Sequence, residues 1–238
     1  MLNNTSFSSQ TLQLWFSRVS NLTIDLEQTV QNLFSVSEIK RLNKINSNNK
    51  RREYLLSRAL MRHALSQYFS RQEEVWIFIE RPESGPIITN LPDNIYISLS
   101  HSSGFVCFAI SNYPIGIDLE YANKRRDFLA LAEAFMNEEE LDFLAQIEST
   151  QAAYFYQVWC AKEAYFKALP PSEQSAISLK KIYFSALIVR EDNWHLIEGK
   201  IEQYWFAAMI KNRPLNISCN YLLPVDKCLS RVNCFEIH

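Results

Sequence analysis

Glycine is scarce in this sequence, which has four glycines among 238 residues. They are Gly85, Gly104, Gly116 and Gly199. Phosphate-binding loops and dinucleotide fingerprints need several closely spaced glycines, because the backbone itself must approach the phosphate. Neither motif can be assembled here. Any bound phosphate must therefore be held by side chains.

The sequence also lacks the cysteine spacing of disulfide frameworks and zinc sites. The five cysteines are an odd number, and no two of them have the C-x-x-C spacing. This pattern argues against a disulfide framework and against a zinc site. It favours a reducing compartment, so we expect a cytoplasmic protein.

The chain has no excess of positive charge and no long apolar run. Its formal net charge is −2, which argues against a strongly basic binder of nucleic acid. No stretch reaches the roughly eighteen apolar residues of a membrane span, and the first residues lack a basic segment followed by an apolar core. We expect neither a nucleic-acid partner, nor a membrane partner, nor export.

Helical and β-rich patterns alternate along the chain. A helical pattern runs from Ser37, as N-cap, to Phe69, with a break at 46–49. Short β-rich runs fill 75–120, and helical segments return over 128–168. A second sheet is predicted from four later runs: 183–190, 194–198, 203–210 and 215–222. The order of helix and then strands thus occurs twice.

Two acids stand two residues apart in an apolar stretch. On a strand, Asp118 and Glu120 would project from one face. Most exposed carboxylates are ordinary surface acids, and that interpretation stays open for these two. Two like charges side by side repel each other, however, and a cation between them would relieve that repulsion.

A second cluster lies on a predicted helix. Glu163 and Lys167 are four residues apart and share a helical face, with Lys162 beside them. Such a pair is also a common solvated device worth about 0.3–0.5 kcal/mol, so alone it indicates no function. Mg²⁺ is usually held by one or two carboxylates together with substrate phosphates. Three acids and two lysines suit a metal-bound phosphate.

His101 lies between Ser100 and Ser102 in an apolar run that predicts a strand. Hydroxyls and imidazole can donate hydrogen bonds to phosphate, although a structural histidine is the simpler alternative. A serine–histidine catalytic dyad is disfavoured, because adjacent residues on a strand point to opposite faces.

Basic residues crowd the segment 40–62, in which Glu53 is the only acid. A solvated helix face is the default interpretation of such a run. The basic residues are Lys40, Arg41, Lys44, Lys50, Arg51, Arg52, Arg58 and Arg62.

Together these motifs resemble a known family. G-x-D-x-E at 116–120 and W-x-x-K-E-A-x-x-K at 159–167, preceded by the serine–histidine motif, are similar to the signature of the Sfp-type 4′-phosphopantetheinyl transferases, of the holo-[acyl-carrier-protein] synthase superfamily. The resemblance implies transfer of 4′-phosphopantetheine from coenzyme A, the substrate, to a serine of an apo acyl or peptidyl carrier protein. Adenosine 3′,5′-bisphosphate would be released. It also implies Mg²⁺, with Mn²⁺ as the alternative.

The resemblance further implies an α+β fold. Two similar α/β halves would be related by a pseudo-twofold axis, each a mostly antiparallel sheet packed with helices, with coenzyme A in the cleft between them. The expected halves are 1–113, with the basic helix, and 114–238, with the metal site. A monomer is expected.

Roles of single residues follow from the same resemblance. Asp118, Glu120 and Glu163 would bind the metal. Glu163 would also be the catalytic base, and the catalytic lysines Lys162 and Lys167 would neutralise phosphate.

Contacts to coenzyme A are implied for seven side chains: Arg41, Arg52, Arg81, Ser100, His101, Lys162 and Lys167. Arg41 falls where relatives place a basic residue on the 3′-phosphate, and Arg52 is a second candidate. The family commonly has Gly-Lys-Pro ahead of the serine–histidine motif, whereas here Gly85 is followed directly by Pro86. Arg81 is expected to replace the missing lysine.

Two other functions stay open at this point. Another metal-dependent phosphate enzyme, such as a nuclease or a phosphatase, could use the same acids. A module without catalytic activity could bind coenzyme A or an acidic partner through the basic segment 40–62.

Overall fold

The computed structural model describes residues 11–82, 84–123, 126–212, 214, 216–221 and 236–237. The described helices are α1 Ile24–Asn32, α2 Val36–Asn43, α3 Asn48–Phe69, α4 Phe128–Ala132, α5 Glu138–Gln146, α6 Gln151–Ala168, α7 Pro171–Gln174 and α8 Phe184–Ile188. The described strands are β1 Thr11–Arg18, β2 Phe78–Arg81, β3 Ser84–Ile88, β4 Tyr96–Ser102, β5 Phe105–Ser111, β6 Ile115–Tyr121, β7 Trp194–Ile201, β8 Tyr204–Lys211, β9 Asn216–Tyr221 and β10 Glu236–Ile237. The expected α+β class is confirmed.

Two four-stranded sheets form the centre of the fold. The first has the strand order β4-β5-β1-β9, in which only the β1–β9 pair is parallel. The second has the order β10-β7-β8-β6 and is antiparallel throughout. Strands β2 and β3 form a separate two-stranded sheet. The prediction of mostly antiparallel sheets is therefore confirmed.

The two sheets pack face to face, with helices on their outer sides. Strand β5 shows this most clearly, because all of its residues are buried. Val106 and Phe108 face the core beneath α3, whereas Phe105 and Cys107 face the other sheet. Successive side chains of a strand point to opposite faces, so a strand covered on both sides must be apolar throughout.

The two long helices cover opposite sides of this sandwich. Helix α3 contributes Leu55, Leu56 and Leu60 to the core on the first sheet. Helix α6 contributes Phe155 and Ala164 to the core on the second. None of the described helices is both long enough and apolar enough to cross a membrane.

Helix α2 begins two residues earlier than predicted. Ser35, not Ser37, is its N-cap and forms a capping box with Glu38. Ser37 instead accepts a hydrogen bond from the Glu80 backbone N–H on β2. The expected break is present, because α2 ends at Asn43 and α3 starts at Asn48 after the N-cap Ser47.

Two of the later predicted strands need correction. The segment 183–190 is largely helix α8, whose buried residues Phe184 and Leu187 are three apart and face the core. The segment 215–222 does contain a strand, but that strand, β9, joins the first sheet beside β1 rather than the second. One strand of the expected half 114–238 therefore lies in the sheet of the other half.

Candidate active site

Asp118 lies on β6 with its carboxylate almost fully buried. One oxygen, Oδ1, accepts hydrogen bonds from the Ser100 hydroxyl at 3.0 Å and from the Lys167 ammonium at 2.6 Å. The other, Oδ2, is buried and has no hydrogen-bond partner among the described residues. A buried carboxylate oxygen without a partner is costly, and a bound cation would satisfy it.

Charges around Asp118 are coupled. Burial alone would lower the pKa of Lys167, but Asp118 and Glu163 together raise it above its usual value. Burial raises the pKa of Glu163; Lys167 opposes that rise and Asp118 adds to it. Burial and Asp118 likewise raise the pKa of Glu120. Asp118 and Glu163 thus share the Lys167 ammonium. Arg126, in contrast, is the cation that lowers the pKa of Glu120. A further positive charge here would stabilise the ionised forms of all three carboxylates.

These side chains line one cavity of about 340 Å³. Its walls are formed by Leu99, Ser100, His101, Asp118, Glu120, Trp159, Glu163 and Lys167. Strand β4, strand β6 and helix α6 each supply part of the lining. The structure therefore brings together the three acids predicted to bind metal, one of the two predicted lysines, and the serine–histidine motif.

The spacing of the side chains and the chemistry of their donor atoms both bear on whether this site fits a hard cation. Within the part of the chain that the structure describes, no three His, Cys, Asp or Glu side chains are grouped closely enough to form a complete metal site. Asp118 is instead paired with Lys167. The donors are nevertheless carboxylate oxygens, the ligands that Mg²⁺ and Mn²⁺ prefer, and Oδ2 of Asp118 is buried without a partner. The residues present fit such an ion.

A larger cavity of about 920 Å³ adjoins the first, and the two share Leu99, His101, Glu163 and Lys167. Its charged lining residues are Arg41, Lys50, Glu53, Arg58, Glu80, Arg81, His101, Glu163 and Lys167. Its apolar and aromatic lining includes Ile45, Tyr54, Met61, Ile97, Leu99, Phe108 and Phe166. A volume of this order is typical of a small-molecule site, and basic groups beside apolar ones suit a nucleotide-like ligand.

His101 points away from Ser100, as expected for neighbours on a strand. Its Nδ1 lies 3.7 Å from Oε2 of Glu53 on α3. Burial lowers the pKa of His101, and Glu53 partly opposes that shift. The other oxygen of Glu53 accepts a hydrogen bond from the Gly104 N–H. Glu53 therefore ties α3 to the turn that follows His101.

Arg58 lines the larger cavity, and its guanidinium is already paired with an acid. Its guanidinium lies 2.7 Å from Oε1 of Glu80 and stacks on the ring of Tyr54 at 4.5 Å. Tyr54 donates to the same Glu80 oxygen at 3.0 Å. Sequence reasoning missed Glu80, because the acid is 22 residues from Arg58 and only the fold joins them.

Arg41 and Arg81, both predicted to contact coenzyme A, line the larger cavity. Arg41 is exposed at the end of α2. Arg81 is exposed at the end of β2, and its Nε donates to the Gly85 carbonyl at 3.0 Å. Both guanidinium groups can therefore face a ligand.

Arg52 does not line either cavity. Its Nε donates to Glu27 at 2.8 Å and its Nη2 to the Leu22 carbonyl at 2.5 Å. The guanidinium joins α3 to α1 and the turn before it. The structure therefore does not bring Arg52 together with the other residues predicted to contact coenzyme A.

Lys162 is fully buried and also lies outside both cavities. Its Nζ donates to the Phe135 carbonyl at 3.0 Å and to Oε2 of Glu140 at 2.5 Å. The neighbouring Glu140 oxygen, Oε1, accepts from the Phe184 N–H at 2.8 Å. Lys162 thus fastens α6 to α5 and α8, and the structure does not bring it to the predicted phosphate site.

Trp159 has a place that the sequence did not reveal. It packs edge to face on Phe135 at 4.5 Å, as a core residue would. It also lines the smaller cavity, where its side chain lowers the pKa of Glu120 by a hydrogen bond. Trp159 is four residues before Glu163 on α6, and this spacing indicates that the two side chains share a helical face.

Comparison with known proteins agrees with the motifs. Residues 114–218, which include β6, α6 and the acids and lysine of the smaller cavity, match the family model described as the 4′-phosphopantetheinyl transferase superfamily. Over this region the chain is similar to that superfamily, and the resemblance predicted from the sequence motifs is confirmed.

Individual relatives point to the Sfp type. The chain is 36% identical over 117 residues to 4′-phosphopantetheinyl transferase psf-1 of Bacillus pumilus, a match that covers 49% of each chain. It is 32% identical over 114 residues to 4′-phosphopantetheinyl transferase Sfp of Bacillus subtilis (strain 168), covering 48% of this chain and 50% of that one.

A longer match is more distant. The chain is 28% identical over 170 residues to 4′-phosphopantetheinyl transferase HetI of Nostoc sp. (strain PCC 7120 / SAG 25.82 / UTEX 2576), covering 69% of this chain and 71% of that one. The first two matches span about half the length of those relatives.

Proposed function

We propose that this protein transfers the 4′-phosphopantetheine group of coenzyme A to a serine of an apo acyl or peptidyl carrier protein and releases adenosine 3′,5′-bisphosphate. One observation carries the proposal: Asp118, Glu120, Glu163 and Lys167 line a single cavity that opens beside a larger basic one. The family match over residues 114–218 supports the same chemistry.

Coenzyme A would bind in the larger cavity. Arg41 and Arg81 would contact its phosphates from the α2 and β2 sides, and His101 and Lys167 from the side of the acids. The apolar lining would accept the uncharged parts of the molecule. Arg52 and Lys162 take no part in this binding, because both are committed to contacts within the fold.

A divalent cation, Mg²⁺ or Mn²⁺, would be held by Asp118, Glu120 and Glu163. When bound it would neutralise pyrophosphate oxygens and so favour departure of the leaving group. The unpartnered Oδ2 of Asp118 supports this role.

Glu163 would act as the base. The oxygen of the carrier serine attacks the β-phosphorus of coenzyme A while its proton passes to the Glu163 carboxylate, directly or through a water molecule. The new bond joins the serine oxygen to the β-phosphorus. The bond from that phosphorus to the bridging oxygen of the pyrophosphate breaks, and the bridging oxygen leaves as part of adenosine 3′,5′-bisphosphate. The Lys167 ammonium would stabilise the negative charge that develops on the phosphoryl oxygens.

One chain is sufficient for this reaction, because both cavities are formed within it, and we propose that it acts as a monomer in the cytoplasm. The halves 1–113 and 114–238 would each supply one side of the site, with β9 crossing to the first sheet. Cys107, Cys160 and Cys219 are free thiols, as suits a reducing compartment.

Intact-protein mass spectrometry tests the proposal. A panel of apo carrier proteins is incubated with the protein, coenzyme A and Mg²⁺, and an EDTA sample serves as control. We expect a metal-dependent gain of one phosphopantetheine group, and Asp118→Asn and Glu163→Gln to lower its rate by at least about 10²-fold while coenzyme A binding persists.

Full transfer by either variant would contradict the assigned roles. Coenzyme A binding without transfer to any carrier would favour the binding module. Release of inorganic phosphate or cleavage of nucleic acid would identify a different phosphate enzyme.

A further inference from the structure

The edge strands of the two sheets, β4 and β6, are joined by a row of serines. Ser98, Ser100 and Ser102 alternate along β4, so all three hydroxyls point the same way, toward β6. Each oxygen accepts a backbone N–H of β6: Ser98 from Ile117 at 3.0 Å, Ser100 from Leu119 at 3.2 Å and Ser102 from Tyr121 at 3.2 Å. We call these three residues the serine row. Their hydroxyls do what backbone carbonyls do in an ordinary sheet ladder.

Two members of the serine row make a second bond. The Ser100 hydroxyl donates to Oδ1 of Asp118 at 3.0 Å, and the Ser102 hydroxyl donates to Oε2 of Glu120 at 3.1 Å. An ionised carboxylate can only accept, and a hydroxyl has one proton to give. Because an ionised Asp118 or Glu120 has no proton to give, the serine hydroxyl is the donor in both bonds.

Ser98 differs from its two neighbours in having no carboxylate to hold. Asp118 and Glu120 each lie 18 positions after the serine that holds them, and the residue 18 positions after Ser98 is Gly116. Glycine has no side chain to hold. Ser98 therefore bonds to the backbone of β6 but to no carboxylate. A comparison of Ser98 with Ser102 separates the effect of the carboxylate bond from that of the backbone bond.

We propose that Ser100 and Ser102 are positioning residues that hold Asp118 and Glu120 in the orientation in which they bind a divalent cation. The inference rests on the proposed function and adds two residues of β4 to the cation site. Groups that hydrogen-bond a metal ligand fix its direction and favour its charged form, and their loss typically weakens metal binding by about 10–100-fold.

Ser102 gives the cleaner test. Oδ1 of Asp118 also receives Lys167, and Ser100 lines the cavity as a predicted phosphate contact, so a change at Ser100 would alter several interactions. The Ser102 hydroxyl touches the Tyr121 N–H and Glu120 alone among the described side-chain hydrogen bonds. Its partial exposure places the expected effect near tenfold.

The measurement is the dissociation constant of Mn²⁺, obtained from the EPR signal of the free ion, with the full chain and saturating coenzyme A. Coenzyme A with Mn²⁺ and no protein supplies the background. Ser102→Ala should weaken Mn²⁺ binding about tenfold. Ser98→Ala removes the same kind of bond to β6. Ser98 also lines the larger cavity, so coenzyme A is kept saturating, and under that condition Mn²⁺ affinity should not change. Both variants should unfold at lower urea concentration than the unaltered protein. Ser102→Thr keeps the hydroxyl and should bind Mn²⁺ normally.

Unchanged Mn²⁺ affinity in Ser102→Ala would overturn the inference and leave the proposed function standing. Equal weakening in Ser98→Ala would overturn it as well, because the effect would then come from the sheet contact. Failure of the unaltered protein to bind Mn²⁺ above background would overturn both the inference and the metal site. If the Mn²⁺ affinities of the three variants are as expected but the unaltered protein transfers nothing to any carrier, the inference is supported and the proposed function alone is contradicted.

Discussion

Gly116 on β6 lies directly against the backbone of α6 at Ala164. A Cβ atom at position 116 would lie 1.9 Å from the Ala164 carbonyl oxygen and 2.5 Å from the Ala168 amide nitrogen. The glycine therefore sets how closely β6 approaches the helix that carries Glu163 and Lys167. That approach allows Lys167 to reach Asp118 at 2.6 Å.

Gly116→Ala should destabilise the protein. Overpacking usually costs about 1–3 kcal/mol, and we expect at least the upper end, because the contact is with backbone that cannot rotate away. Urea unfolding followed by circular dichroism measures the change. Gly85→Ala is the matched control: a Cβ there meets nothing within 4 Å, so its effect should stay within about 0.5 kcal/mol. Equal stability of the two variants would refute the close packing of β6 on α6.

Lys162→Ala should behave as a core mutation. It leaves the Glu140 carboxylate buried without its ammonium partner, and breaking a buried ion pair from one side costs about 3–5 kcal/mol. The free energy of unfolding should fall accordingly, while the KM for coenzyme A of the folded protein should stay unchanged. The exposed Lys180→Ala serves as control and should change stability by no more than about 0.5 kcal/mol. A raised KM at normal stability would instead return Lys162 to the phosphate site.

Unlike Lys162→Ala, Lys167→Met should lower the rate of transfer. The Lys167 ammonium faces both cavities and pairs with Asp118, so its loss removes positive charge where a phosphate would lie. We expect the transfer rate to fall at least about 10²-fold. Measuring the transfer rate and the stability of both Lys167→Met and Lys162→Ala separates a lysine that acts in the reaction from one that stabilises the core. A normal transfer rate in Lys167→Met would exclude Lys167 from the reaction.

The contrast between these two lysines shows what the sequence could reveal. Glu163 and Lys167 share a helical face by their spacing, and Asp118 and Glu120 share a strand face by theirs, so local periodicity predicted both clusters. Lys162 is adjacent to Glu163 in sequence but lies on another side of α6, and its partner is 22 residues away. Only the packing of α5 against α6 shows that this ammonium is used inside the protein.

Long-range pairing limited the prediction of the fold in the same way. The antiparallel sheets were predicted from short β-rich runs, whereas the parallel β1–β9 pair joins Leu14 to Cys219 across most of the chain. No local pattern specifies such a partner. The serine row had a visible signal, since three serines alternate along one strand, but their role depends on a register with β6 that only the structure supplies.

Arg41 and Arg52 provide a final test, because both are predicted from the sequence to contact coenzyme A and the structure separates them. Arg41 is exposed and lines the larger cavity, whereas Arg52 is bonded to Glu27 and to the Leu22 carbonyl. If Arg41 contacts the 3′-phosphate, Arg41→Ala should raise the KM for coenzyme A about tenfold, which corresponds to about 1.4 kcal/mol. The KM for 3′-dephospho-coenzyme A should not change.

Arg52→Ala is the matched control for that measurement. Its ion pair is about a third exposed, so we expect a loss of about 1 kcal/mol of stability at most. Neither KM should change, because the guanidinium does not face the cavity. Parallel increases in both KM values for Arg41→Ala would mean that Arg41 contacts another part of the molecule. A selective increase for Arg52→Ala would mean that α1 and α3 separate when coenzyme A binds and free this arginine for the phosphate.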